Sequence, residues 1–148
     1  MPLRLHLSIH FATSILAWFI VYKYFYKNVY VFFVAILWWF LIDADHFVDY
    51  WFYLWHIDFN LEAFLSWEHF KHTSKLYLIF HWWEYPFIWF VLFGRLKNKI
   101  RYFVLSFSIA LFLHISSDVF INWMKIEWYS ISYRIYRNFE EKYCLVNP

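Results

Sequence analysis

Four stretches of the chain are apolar enough to cross a membrane, and short polar connections separate them. They cover about residues 5–22, 29–50, 76–93 and 102–124. The chain is 64% hydrophobic and 16% charged, whereas ordinary globular domains are about 45–50% apolar and about 25% charged. We therefore predict an all-α fold: one domain over residues 1–148, built as an integral membrane bundle of four transmembrane helices.

The second stretch is the least regular of the four. Its charge-free part, Val29 to Ile42, is too short for a helix that needs about 20 residues to cross a membrane. The helix should therefore continue through the acidic residues that follow, to about Tyr50. Residues 56–75 form a polar linker with a predicted short amphipathic helix, and residues 125–148 form a tail that we expect at the membrane interface.

The charged residues of the connections indicate an orientation. The two short loops contain basic residues and no acid: Lys23, Lys27, Arg95, Lys97, Lys99 and Arg101. The positive-inside rule places such loops in the cytoplasm. We expect a multi-pass protein of the plasma or inner membrane with its polar end extracytoplasmic, although the basic residues of the tail oppose this orientation.

Several classes of function find no support in the residues. The net charge of +2 has no block of one sign, so nucleic acid is not an expected partner. The single cysteine, Cys144, excludes an internal disulfide and a cysteine-based zinc site. The single glycine, Gly94, excludes a glycine-rich phosphate loop. No serine lies in a nucleophile elbow, so a serine hydrolase is not predicted.

Polar side chains interrupt all four spans, and they do so at one end of the predicted bundle. In an up-down arrangement, the starts of spans one and three and the ends of spans two and four share one membrane face. The residues are His6 and His10 in span one, Asp43, Asp45, His46 and Asp49 in span two, His81 and Glu84 in span three, and His114 and Asp118 in span four.

Their spacing predicts a metal site between the helices. Residues three or four apart lie on one helix face, and helical bundles build metal sites from inward His and carboxylate groups. Several buried carboxylates would repel one another without a cation. Imidazole and carboxylate without thiolate favour zinc, as one or two ions, with manganese or iron as alternatives. The predicted ligands are His10, Asp43, Asp45, His46, His81, His114 and Asp118.

Ordinary explanations exist for each pair taken alone. His114 and Asp118 could form an interhelical hydrogen-bonded pair, and His81 with Glu84 could mark the start of a helix at the interface. The joint pattern favours a shared metal site over these separate roles. The sequence leaves open whether His6, His69 and His72 contact metal or substrate or are simply solvated.

The chain also resembles the LexA-regulated, membrane-bound metal-dependent hydrolases over essentially its whole length. Ile42 stands where that family usually has a proline, and the tail "WYSISYRIYRNF" is similar to the family's closing segment. The matching motifs are "SIHFATS" with His10, "LIDADH" with Asp43, Asp45 and His46, "IFHWWE" with His81 and Glu84, and "LHISSD" with His114 and Asp118.

The residues and the resemblance together predict a metal-dependent hydrolase in the membrane. Its metal would activate water against an ester or phosphoester of a lipid-like, amphiphilic substrate, and Glu84 or Asp49 would accept the proton. Membrane lipid is the expected partner. Two alternatives remain: a bundle that binds or transports metal without catalysis, and a haem-binding four-helix membrane protein.

Overall fold

The structure, a computed structural model, describes residues 3–66, 72–121, 124–140 and 142, with the side chains of residues 3–5 left out. Within this part the chain forms helices and no strand, which confirms the predicted all-α class. The elements are α1 (Leu3–Tyr24), α2 (Tyr30–Ile42), α3 (Asp45–Leu54), α4 (Leu61–Leu65), α5 (Glu84–Arg95), α6 (Ile100–Ile121), a 3₁₀ helix (Ile126–Tyr129) and α7 (Ile131–Tyr136).

Three stretches of helix are long and apolar enough to cross a membrane. They are His6–Tyr24, Tyr30–Leu54 and Ile100–Ile121. The second stretch contains both α2 and α3, because Asp43 and Ala44 between them keep helical backbone angles. Helical structure therefore continues through the acidic residues, as the shortness of the charge-free part predicts.

The third predicted span differs from the prediction. Its helix, α5, begins at Glu84 rather than near residue 76 and has 12 residues, a rise of about 18 Å against a hydrocarbon core of about 30 Å. Residues 76–83 are not helical. Their backbone groups instead bond to side chains of α3 and of the tail, which removes the need for helical hydrogen bonds.

Helix α6 is the centre of the bundle and packs against α1, α2 and α5. Its buried side chains form two apolar clusters, one around Leu111 and Ile115 and one in which Leu105 joins Val21 and Val31. The outward faces of α1, α2 and α5 are also apolar. Exposed aromatic rings of this kind suit a lipid environment better than water.

The tail covers the non-helical segment. The N–H of Trp83 donates to the carbonyl of Tyr129 at 2.8 Å, and the N–H of Leu76 donates to the carbonyl of Phe139 at 3.0 Å. Trp128, Tyr129 and Arg134 are buried by this packing. The described part of the predicted interfacial tail is therefore a packed cover over residues 76–83.

The polar linker contains the short helix that its sequence predicts. Asn60 caps α4 by accepting the N–H of Ala63 at 3.1 Å. His56 and His72 are both exposed at the surface of the linker. His69 lies outside the described residues, as do residues 143–148 of the tail.

Candidate metal centre

Seven histidine and aspartate side chains meet at one end of the long helices. They form overlapping groups of three whose potential ligand atoms lie within 4.8 Å of one another. Six of the seven residues are buried, and Asp43 is partly buried. The groups are His6, His10 and Asp118; His10, Asp43 and His114; Asp43, His46 and His81; and His81, His114 and Asp118.

Two of the four contributing segments are regular helix. His6 and His10 lie one turn apart at the start of α1, and His114 and Asp118 lie one turn apart in the second half of α6. This spacing places each pair on one face. Because α1 packs against α6, the two pairs meet, and the rings of His10 and His114 stack with centroids 3.8 Å apart.

The third segment is the junction between α2 and α3, where the helix is tightened. The N–H of Ala44 donates to the carbonyl of Leu41 and that of His46 to the carbonyl of Asp43, each three residues back. Such a short 3₁₀ stretch inside a longer helix often marks a functional position. It brings Asp43 and His46 together, with Nε2 of His46 3.6 Å from Oδ1 of Asp43.

All five imidazole rings direct Nε2 into the cluster. The Nε2 atoms of His6 and His10 lie 2.9 Å apart, and those of His81 and His114 lie 3.1 Å apart. Two nitrogens bound tetrahedrally to one zinc ion at about 2.0–2.1 Å would lie about 3.3 Å apart. The spacing of the paired rings is therefore close to that of a ligand shell.

Asp43 is the carboxylate whose surroundings best fit a metal ligand. Both of its carboxylate oxygens are buried, and neither accepts a hydrogen bond from the described residues. Its Oδ1 is 3.3 Å from Nε2 of His114 and 3.7 Å from Nε2 of His81, without hydrogen-bond geometry. A buried carboxylate in this state is costly unless a cation binds it, so this residue fits a metal ligand.

Asp118 lies between the two histidine pairs. Its Oδ1 is 3.0 Å from Nε2 of His10, while its Oδ2 is 3.5 Å from Nε2 of His114 and 3.6 Å from Nε2 of His81. One carboxylate therefore contacts imidazoles from both sides of the cluster. This is the position expected of a residue that bridges two neighbouring sites.

Asp45 differs from its predicted role as a ligand. Its Oδ2 lies 3.0 Å from Nδ1 of His81, the nitrogen opposite the one that enters the cluster, and also accepts the N–H of Phe80. The reason is helical geometry, because residues two apart, such as Asp43 and Asp45, do not share a face. Asp45 thus orients a candidate ligand from behind, as outer carboxylates do at metal sites.

Asp49 and Glu84, predicted as proton acceptors, have other partners. Asp49 accepts the N–H groups of Tyr77 and Leu78 at 2.8 and 3.1 Å. Oε1 of Glu84 accepts hydrogen bonds from the hydroxyl of Ser130 and from the N–H of Ile131, both in the tail. Neither carboxylate belongs to the groups of potential ligands. Both residues hold polypeptide segments in place.

Arg134 has a structural role that the sequence did not indicate. It is fully buried, and its guanidinium donates to the carbonyls of Tyr77, Leu78 and Trp128. Arg134 therefore binds the carbonyls of Tyr77 and Leu78, and Asp49 binds the N–H groups of the same two residues. Leu78 there has φ 41°, an uncommon angle for leucine that surrounding contacts must maintain. A basic residue within an aromatic tail is too common a pattern to reveal this role.

Two residues of the centre itself were undecided or missed. His6, left open by its sequence context, joins His10 and Asp118 in one ligand group. Ser117 has its hydroxyl 3.2 Å from Nδ1 of His10, so that this ring also has an outer partner. Its place directly before Asp118 in "HISSD" was the only available signal.

The centre could hold a divalent cation, since it supplies buried imidazole and carboxylate groups from four chain segments. A haem fits less well, because the rings of His10 and His114 stack directly on each other and leave no space for a porphyrin between them. Comparisons of the chain with models of protein families, with curated proteins and with solved structures find no match. The resemblance to the metal-dependent hydrolases therefore stays a prediction from the sequence motifs.

Proposed function

We propose that the chain is a membrane-embedded, metal-dependent hydrolase that cleaves an ester or phosphoester of a lipid-like substrate. The observation that carries this proposal is the convergence of five imidazole Nε2 atoms and two carboxylates at one end of three apolar helices. An ionisable group in such a helix is costly and by default indicates function. The cell membrane is the proposed location, with the centre on its extracytoplasmic side.

The grouping of the ligands supports two metal ions rather than one. His6, His10 and Asp118 form one group, and a second group that shares none of these residues consists of Asp43, His46 and His81. His114 lies between the two, with Nε2 3.3 Å from Asp43 and 3.5 Å from Asp118. Two imidazoles and one carboxylate per ion leave a coordination position open for water or substrate. Zinc suits these ligands best.

The position of the centre at one end of the apolar helices supports a lipid head group as the target. Metal ions bound there would lower the pKa of a bound water and polarise a phosphoryl or acyl oxygen. The chain contributes the geometry: Asp45 and Ser117 orient the rings of His81 and His10 from behind. Asp43 would accept the proton from that water, because neither of its carboxylate oxygens accepts a hydrogen bond from the described residues.

The main rival is a bundle that binds metal and catalyses nothing. One experiment on protein purified in lipid nanodiscs distinguishes the two functions. Metal content is measured by elemental analysis, and head-group release from phospholipid vesicles is measured with and without chelator. For the hydrolase we expect bound zinc and release that the chelator abolishes. Bound metal without turnover of any ester or phosphoester would favour the rival.

Substitutions sharpen the comparison. His114→Ala and Asp118→Asn should each lose metal and activity together, because both residues contact both ligand groups. His56→Ala is the matched control, since His56 is an exposed histidine of the linker. Full activity in His114→Ala would overturn the proposal.

A further inference from the structure

An apolar cavity of about 190 Å³ lies between α2, α5 and α6. Every residue that lines it is aliphatic or aromatic, so it offers no charged group to a polar ligand. Phe80 stands at the edge of the cavity with 47% of its surface exposed, which leaves this side accessible from the surroundings. The main walls are Trp38, Leu41, Phe80, Trp89, Phe107 and Leu111.

The cavity adjoins the candidate metal centre along three separate segments of the chain. Each segment supplies at least one residue to the wall of the cavity and, within one helical turn of it, a residue to the centre. The neighbouring residues are Ile42 and Asp43, Phe80 and His81, and Leu111 and His114. The two sites therefore adjoin along all three segments, and the residues that line the cavity lead directly to candidate ligands.

The cavity extends from the centre toward the basic loops. On α6, Phe107 lies seven residues before His114, which corresponds to about 10 Å along the helix axis. On α2, Trp38 likewise precedes Asp43. Because the centre lies at the end of the spans, this direction leads toward the middle of the bilayer. Hydrocarbon lies in that direction, and polar head groups do not.

From this arrangement we infer that the cavity binds a hydrocarbon chain of an amphiphile whose polar group then lies at the metal centre. The inference rests on the proposed function and narrows its substrate to molecules that carry a hydrocarbon chain beside their polar group. The exposed edge at Phe80 allows the chain to enter sideways from the bilayer. A water-soluble ester without such a chain would leave the apolar wall uncovered.

The test uses a short-chain lysophosphatidylcholine with a diazirine at the end of its acyl chain, added to the whole protein in lipid nanodiscs. After photolysis and digestion, mass spectrometry locates the adducts. We expect them on the wall residues Trp38, Trp89 and Phe107. Equal labelling of the exposed outer rings, such as Phe19 and Phe87, would overturn the inference, since it indicates surrounding lipid only.

A filling variant gives a second, independent readout. Leu41→Trp places a large ring in the cavity and should lower the labelling of its walls by about tenfold, equivalent to about 1.4 kcal/mol of binding. Phe40→Trp is the control, because Phe40 is the next residue but is exposed on the outer face. Unchanged wall labelling in Leu41→Trp with normal metal content would contradict the inference.

The experiments distinguish failure of the inference about the cavity from failure of the proposed hydrolase function. Labelling requires no turnover, so protein treated with chelator should still be labelled at the walls while it releases no head group. Wall labelling in a metal-loaded protein that cleaves no ester supports the cavity and overturns the hydrolase. Metal-dependent cleavage together with scattered labelling supports the hydrolase and overturns the cavity.

Discussion

Oδ2 of Asp45 lies 3.0 Å from Nδ1 of His81 and 2.7 Å from the backbone nitrogen of Phe80. One carboxylate thus determines both the orientation of a candidate ligand and the path of the backbone that carries it. Because Nδ1 donates its proton to this carboxylate, Nε2 of the neutral ring carries no proton and can bind a metal. Asp45 is 1% exposed, so water does not weaken this interaction.

Asp45→Asn should therefore weaken metal binding without abolishing it. The amide keeps the shape but loses the negative charge that orients the ring of His81, and we expect zinc affinity to fall about 10–100-fold. Competition against a chromophoric chelator measures the change. Glu62→Gln makes the same chemical change at an exposed position of α4 and should leave affinity unchanged. Complete loss of zinc in Asp45→Asn would indicate direct ligation instead.

His6→Ala and His46→Ala should each remove one metal ion and leave the other. The two histidines belong to ligand groups that share no residue. Elemental analysis should therefore show the ratio of metal to protein falling from about two to about one in each single variant. The double variant should bind neither ion tightly. A wild-type ratio near one would contradict the two-ion arrangement.

Arg134→Met should have a larger effect on the stability of the fold than on metal binding. It leaves the carbonyls of Tyr77, Leu78 and Trp128 without their donor, and hydrogen bonds to charged groups contribute about 1.5–3 kcal/mol each. We expect a loss of at least about 3 kcal/mol in the free energy of unfolding, measured by denaturant titration in micelles.

The matched control for this variant is Arg137→Met, three residues further on. Arg137 lies over the rings of Tyr133 and Tyr136 and is only partly buried, so its loss should cost at most about 1 kcal/mol. Equal destabilisation by the two substitutions would contradict the assigned role of Arg134.

Glu84→Gln distinguishes a structural carboxylate from a catalytic one. Its Oε1 accepts two hydrogen bonds from the tail, at 2.7 and 3.1 Å, and an amide oxygen can accept the same bonds. We expect nearly normal turnover and a loss of about 1 kcal/mol in stability. Steady-state rates of head-group release provide the measurement. A fall of about 10²-fold or more in kcat would restore the predicted role in proton transfer.

The spans and the location of the polar groups could be largely predicted from the sequence. Apolar length and periodic spacing are local properties, so helix α1, helix α6 and the continuation of α2 into α3 follow from them. The i,i+4 pairs at His6 and at His114 likewise follow from helical geometry. Short connections between α1 and α2, and between α5 and α6, make neighbouring helices antiparallel, which brings these pairs to one end.

The different roles of the four carboxylates could not be predicted in this way. Asp43, Asp45, Asp49 and Glu84 each lie near a histidine in an apolar context, so the sequence offers only their spacing to separate ligands from proton acceptors. In the structure only Asp43 among these four belongs to the groups of potential ligands. Their differences arise from contacts with residues 28 to 47 positions away, which no local pattern records.

The sequence by itself determined that this is an all-helical chain with spans suited to a membrane and with histidines and carboxylates at one end. Hydrophobicity and helical period determine these features residue by residue. The tertiary structure alone decided that residues 76–83 are not helical and that Arg134 and Asp49 hold them. The reason is that backbone groups released from a helix need buried partners, and those partners come together only when the tail packs against the bundle.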